Sequence, residues 1–207
     1  PESIEIESIA NALPIVRKEI AATKKKKAVE RSSIDQRIDY RWIDLRTDEN
    51  QLMFKAQSCF VNAMRKFLLD RNFIEIHTPK LIAAASESGS EVFKVDYFDR
   101  NAYLAQSPQF YKQMAMAAGF ERIFETGPVF RAEKSYTNKH STEFSGFDLE
   151  FSYITSYKDV MKMEEELLTA GLQAVKDNYG DQIKEMFGQE VIVPTTPFPV
   201  VKLADLY

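Results

Sequence analysis

The chain has 207 residues, 44% hydrophobic and 28% charged, with a formal net charge of −4 and a single cysteine. That size and balance fit one domain with a substantial core and exclude a disordered chain. The lone Cys59, inside a helical pattern, excludes a disulfide framework and a zinc site, and no apolar run approaches the ~20 residues that span a bilayer.

The start, Pro1-Glu2-Ser3-Ile4-Glu5, is acidic and lacks a signal-peptide pattern, so a cytoplasmic protein with no membrane association is expected. Pro1 without a preceding Met suggests a chain that begins inside a longer protein. Residues 1–37 read as a linker or hinge: Ile4, Ile6, Ile9, Leu13 and Val16 form a weak apolar pattern broken by Pro14. Lys24 to Lys27 then form a run of like charge, which reads as solvated chain, with attraction to RNA phosphates as the alternative.

Asp48, with Gln51 three residues on, reads as a capping box. Leu52, Phe60, Met64, Phe67 and Leu68 suit one face of a helix running to about Arg71. Asn72 ends it, Phe73 to Ile76 form a short strand, and His77-Thr78-Pro79 stops the strand. Ala83 to Ser90 is small and polar, a loop with the character of a lid. Val92 to Val95 and Tyr103 to Ala105 read as paired strands across a turn at Asp99-Arg100-Asn101.

Pro108 sits in the first turn of a helix expected to reach about Ala118. Gln109 and Lys112, three apart, share one face near its start. Such a pair suits a carboxylate, although spacing alone equally describes a solvated lysine. Ile123 to Phe130 and Phe144 to Phe151 alternate as two antiparallel strands around a polar, basic loop. Phe144, Gly146 and Asp148 fall on one face and Phe147, Leu149 and Phe151 on the other. Arginine, aromatic and carboxylate groups on rigid strands suit a nucleotide phosphate, a purine and an amine, and an ordinary hairpin with surface charges fits them equally well. A last helix is expected from Tyr157 to Asn178, with Val160, Met163, Leu167 and Val175 on one side and Glu164 to Glu166 solvated. Asn178-Tyr179-Gly180 would close it. Val191 to Val193 and Val200 to Leu203 read as short strands flanking a link rich in Pro194, Pro197 and Pro199.

The run Phe130-Arg131-Ala132-Glu133, a basic loop, then His140 through Glu150 resembles motif 2 of the class II aminoacyl-tRNA synthetases. Within that class it is similar to aspartyl-tRNA synthetases of the archaeal and eukaryotic type. Asp39-Tyr40-Arg41-Trp42-Ile43-Asp44-Leu45-Arg46, the helix–strand–Pro79 layout of motif 1 and Gln106-Ser107-Pro108-Gln109 with Lys112 extend the match from residue 38 to the end. The resemblance implies an α+β fold: an antiparallel sheet flanked by helices, with residues 38–207 as the N-terminal portion of the catalytic domain. It implies adenylation of L-aspartate by ATP and transfer of the aspartyl group to the 3′ end of tRNA(Asp). The net charge of −4 neither supports nor excludes a tRNA partner, because phosphate contacts depend on local basic patches.

By the same resemblance, Arg131 takes the α-phosphate and is the catalytic group. Phe144 stacks adenine, Glu133 meets its amino group, Ala132 also belongs to the ATP site, and Lys139, His140 and Ser141 meet the outer phosphates. Glu87, Gln109, Lys112, Arg131, Asp148 and Glu150 bind aspartate, Ser135 touches the tRNA end, and Pro79 marks a homodimer interface. Ser88, Lys139 and Ser141 depart from the family's pattern. Asparaginyl relatives usually lack the Gly-x-Asp-x-Glu ending found at Gly146 to Glu150, which favours aspartate. Motif 3, the acidic Mg2+ ligands and an anticodon-reading OB-fold do not occur in the sequence. The expectation is therefore a fragment of a longer enzyme, inactive in adenylation by itself and without metal ligands of its own. Asparagine activation and a non-catalytic module that binds RNA or a partner are the alternatives.

Overall fold

The computed structural model describes residues 3–17, 30–84, 91–134, 137 and 139–206. The loop holding Glu87, the Lys24–Lys27 run and Ser135 lie outside the described residues. The chain forms two compact units, Pro1–Phe60 with Ala174–Ile192, and Val61–Gln173 with Val193–Tyr207.

The first unit contains the short helices α1 (Ile34–Asp39) and α2 (Arg41–Asp44) and the start of α3 (Asp48–Leu69). Ile15, Leu52 and Val175 are its buried apolar residues. Its organising group is polar. Asp44 is fully buried, accepts from Arg37 Nε at 2.7 Å and Arg41 Nη1 at 2.7 Å, and takes Asn50 Nδ2 at 3.0 Å. Arg31 joins at 3.4 Å. The Arg37 hydrogen bond, opposed by burial and reinforced by the Arg37 charge and Asn50, holds the Asp44 carboxyl below the ordinary range. Asp48 is not the cap of α3, as the capping-box pattern predicts. Thr47 precedes the helix, accepts the Asn50 amide on its hydroxyl at 3.4 Å, and gives its carbonyl to Gln51.

The second unit holds two small sheets. In one, β1 (Ile74–Glu75) runs parallel to β5 (Arg122–Phe130), and β5 pairs antiparallel with β6 (Glu143–Phe151). In the other, β2 (Leu81–Ile82) and β3 (Lys94–Tyr97) flank β4 (Arg100–Leu104), all antiparallel. The β3–β4 turn is Phe98-Asp99, one residue earlier than expected, with Phe98 in the left-handed region at φ 55° and Tyr97 facing Arg100. The fold is the expected α+β arrangement, with one parallel pair added at the edge. Met64, Leu68, Phe73, Ile123, Phe124 and Leu167 form the buried core. Phe124 stacks on Phe147, and Phe73 meets Phe151 edge-on.

Helix α4 spans Gln109–Ala117, close to expectation. Helix α5 spans Tyr157–Phe187, about two turns past the expected end. A single Gly180 costs a helix only about 1 kcal/mol, too little to stop it. The stop is Gly188, whose φ of 66° suits a glycine and whose amide bonds the Lys184 carbonyl. Val191 to Val193 and Val200 to Leu203 are not strands. Neither run has a sheet partner, and Leu203–Leu206 forms a 3₁₀ turn instead.

Candidate active site

Strands β5 and β6 pair continuously from Arg122 opposite Phe151 to Phe130 opposite Glu143. Period-two alternation sends Phe124, Phe147, Leu149 and Phe151 to one face, where the aromatic contacts lie. The other face presents Ile123, Glu125, Gly127 and Val129 of β5 beside Glu150, Asp148, Gly146 and Phe144 of β6. The hairpin thus has an aromatic side and a candidate-site side, and buried residues lie on both.

Helix α4 packs on the site side and delivers Lys112, which is 4% exposed. Its ammonium is in direct contact with Asp148 Oδ1 and lies 3.1 Å from Glu150 Oε2. The sequence expectation placed a substrate amine at Asp148 and a substrate carboxylate at Lys112, whereas here the two poles satisfy each other. Gln109 opens the same helix, half-buried, its amide bonded to Ser107 Oγ at 3.3 Å.

At the other end of the hairpin the Arg131 amide bonds the Thr142 carbonyl at 3.0 Å, carrying the ladder past the strand ends. The Arg131 guanidinium sits 5.6 Å from the centroid of the Phe144 ring. Its Nε is buried and has no hydrogen-bond partner. A cavity of about 280 Å³ is lined by Arg131, Glu133, Lys139, His140, Ser141 and Phe144. Those residues were assigned to one nucleotide by resemblance, and the fold brings them together. In the loop, Thr137 Oγ1 meets His140 Nδ1 at 2.7 Å and Ser141 Oγ donates to the Glu143 carbonyl at 2.6 Å.

Between the two ends, Gly127 faces Gly146. A Cβ at Gly146 would come no nearer than 3.9 Å to Gly127 O or Val129, and one at Gly127 no nearer than 3.5 Å to Lys80 Cε. Those are ordinary contacts, so packing demands glycine at neither position. Their effect is a bare floor between Asp148 and Phe144. Four residues of strand put these two about 13 Å apart.

One set of residues escaped the sequence reading. Glu125, 3% exposed, accepts from the Thr78 amide at 2.8 Å, Thr78 Oγ1 at 2.7 Å and Lys80 Nζ at 2.9 Å. Burial pushes its carboxyl up, but the Thr78 amide, the Lys80 ammonium and the Thr78 hydroxyl outweigh that and hold it below the ordinary range. A signal existed: Glu125 interrupts an apolar run in phase with Ile123 and Val129, so it had to face inward. Pro79, between Thr78 and Lys80, is itself exposed. A larger cavity of about 590 Å³, lined by Tyr157, Met161, Pro197, Phe198 and Val200 among others, contains none of the predicted residues. Among the described residues no three His, Cys, Asp or Glu side chains converge as metal ligands.

The hairpin thus carries an arginine beside an aromatic ring at one end and a buried ammonium among carboxylates at the other. Residues 33–206 match the family of class II tRNA synthetases for D, K and N, and the chain belongs to that family. Within it, the chain is similar to the aspartate–tRNA(Asp/Asn) ligase of Methanopyrus kandleri, 48% identical over 81% of this chain and 38% of that protein. The solved aspartyl-tRNA synthetase of Entamoeba histolytica matches with a TM-score of 0.68 and 38% identity over 85% of this chain and 33% of that one. The asparaginyl-tRNA synthetase of the same organism, in complex with asparaginyl-adenylate, gives a TM-score of 0.75 and 30% identity over 86% and 39%. The chain spans about two-fifths or less of the curated relatives' length.

Proposed function

We propose that this chain carries the amino-acid pocket and the motif 2 nucleotide site of an aspartate–tRNA ligase. The observation that carries the reading is the cavity of about 280 Å³ lined by Arg131, Glu133, Lys139, His140, Ser141 and Phe144, on the same hairpin as the Lys112 cluster. A concave site where charged groups and an aromatic face converge is the default place for a ligand. Curated relatives named as aspartate–tRNA ligases support the substrate.

The α-carboxylate of aspartate attacks the α-phosphate of ATP, a P–O bond forms, and pyrophosphate leaves. The terminal ribose hydroxyl of tRNA(Asp) then takes the aspartyl group and AMP departs. A carboxylate is already a nucleophile at neutral pH, so the first step needs alignment and charge neutralisation and no general base. Arg131 supplies a guanidinium fork to the α-phosphate. Phe144, 40% exposed, gives adenine a ring to lie on, Glu133 meets its amino group, and Ala132 lies beside it in the ATP site. Lys139, His140 and Ser141 take the outer phosphates. Magnesium, when bound, neutralises phosphate charge, and no residue of this chain is assigned to it.

The amino acid enters by exchange. Its side-chain carboxylate takes the place of a protein carboxylate at Lys112, and the freed Asp148, with Glu150 and Glu87, receives its ammonium. Gln109 donates beside it. Asparagine brings no charge to Lys112 and leaves the internal pair closed. Ser135 reaches the tRNA end, and the Pro79 segment contributes to a homodimer in the cytoplasm. The test is ATP–pyrophosphate exchange by the full-length protein. Aspartate-dependent exchange is expected. Exchange driven by asparagine, or by neither amino acid, overturns the assignment.

A further inference from the structure

Glu125 and Asp148 are directly opposite each other on β5 and β6, on the same face of the sheet. Directly opposed residues have Cβ atoms about 4.5–5.5 Å apart, and like charges so placed destabilise the pair. Each carboxylate here has its own cation. Lys80 serves Glu125 at 2.9 Å, and Lys112 serves Asp148 and Glu150. The four charges form one line with a cation at each end and the two carboxylates between, from Lys80 through Glu125 and Asp148 to Lys112. The stem of Lys80 also lies over Gly127, covering part of the glycine floor between the amino-acid end and the nucleotide end.

We infer that Lys80 and Glu125 are positioning residues for the amino-acid pocket: by neutralising Glu125, Lys80 lets Asp148 remain where it meets Lys112 and the incoming ammonium. The inference rests on the reading of Lys112 and Asp148 as that pocket. Without Lys80, an uncompensated carboxylate stands across the ladder from Asp148 and pushes it off its place. The effect falls on the amino acid and spares ATP, whose residues lie at the other end of the hairpin. A plain strap between the Thr78 segment and β5 would behave differently, because a strap loses more as more of it is removed.

The full-length protein carries the test, through KM for aspartate and for ATP in pyrophosphate exchange. Lys80→Met is expected to raise KM for aspartate about tenfold, with KM for ATP within about twofold of the parent. The double variant Lys80→Met/Glu125→Gln removes both charges and keeps the Thr78 hydrogen bonds, and it is expected to return KM for aspartate to within about threefold of the parent. Lys80→Arg retains the cation and is expected to do the same. A double variant as impaired as Lys80→Met, or parallel rises in both KM values, overturns the inference in favour of a strap. Should Lys80→Met fail to fold, the double variant decides alone: recovery supports the charge line and a tenfold rise refutes it. Lys112→Met separates the two levels. If it leaves KM for aspartate unchanged, the pocket reading itself fails. If it abolishes aspartate use while Lys80→Met does nothing, only the present inference falls.

Discussion

Replacing Lys112 by methionine keeps the stem and removes the ammonium. At about 3 Å and an effective dielectric near 20, the attraction between Lys112 and a substrate carboxylate is about 5 kcal/mol before desolvation. Measured losses for a buried, hydrogen-bonded charge pair run about 2–5 kcal/mol, or about 30-fold to a few thousand-fold in affinity. KM for aspartate is therefore expected to rise at least about 30-fold. Phe144, with the Arg131 guanidinium beside its ring, is about 13 Å along the strand from Asp148, beyond the ~8 Å screening length at physiological salt, so KM for ATP is expected to stay put. Folding survives, because Asp148 and Glu150 keep 34% and 29% of their side-chain surface and can recruit water. The assay is steady-state pyrophosphate exchange with each substrate varied in turn. A rise in KM for aspartate under about threefold, or an equal rise for ATP, would refute the reasoning.

Two further expectations test other parts of the structure. Asp44→Ala leaves three arginines without their shared carboxylate. Breaking a buried pair costs about 3–5 kcal/mol, and partial exposure of the arginines lowers that here to about 2–3, a drop of roughly 4–12 °C in Tm. Because the Asp44 carboxyl is held below the ordinary range, its contribution is complete above the unfolded-state pKa and disappears as pH falls through the folded value. The acid limb of a parent melt series should therefore flatten in Asp44→Asn. Gly146→Val meets no close contact at its Cβ, so its Tm is expected within about 2 °C of the parent while aspartate-dependent exchange is lost to a filled floor. Retained exchange would show that substrates do not cross that floor.

The hairpin was legible because its alternation runs the length of two nine-residue strands, which fixes both register and face. The Gln109–Lys112 helix was legible because Pro108 marks its start and three-residue spacing its shared face. Other features depend on facts that no local pattern contains. Val191 to Val193 has strand propensity, but a strand requires a neighbour, and propensity is silent on whether one arrives. Gly180 resembles a terminator until the helix around it proves long enough to absorb its cost. The Asp44 cluster draws its arginines from up to 13 residues away, and the Glu125 clasp spans 47. Lys112 and Asp148, each expected to wait for a substrate, pair with each other instead, and that pairing follows from the packing of α4 on β6.

The cavity beside Arg131 has a consequence for handling the protein. Arg131 and Lys139 bring like charge to one wall, and an oxyanion bound between them offsets that repulsion. Nucleotide, and even plain phosphate, should therefore act as a conformational stabiliser, raising the melting point before any chemistry begins. The ligand-free form would be the more fragile one on the bench, so purification buffers that happen to contain phosphate would flatter its durability.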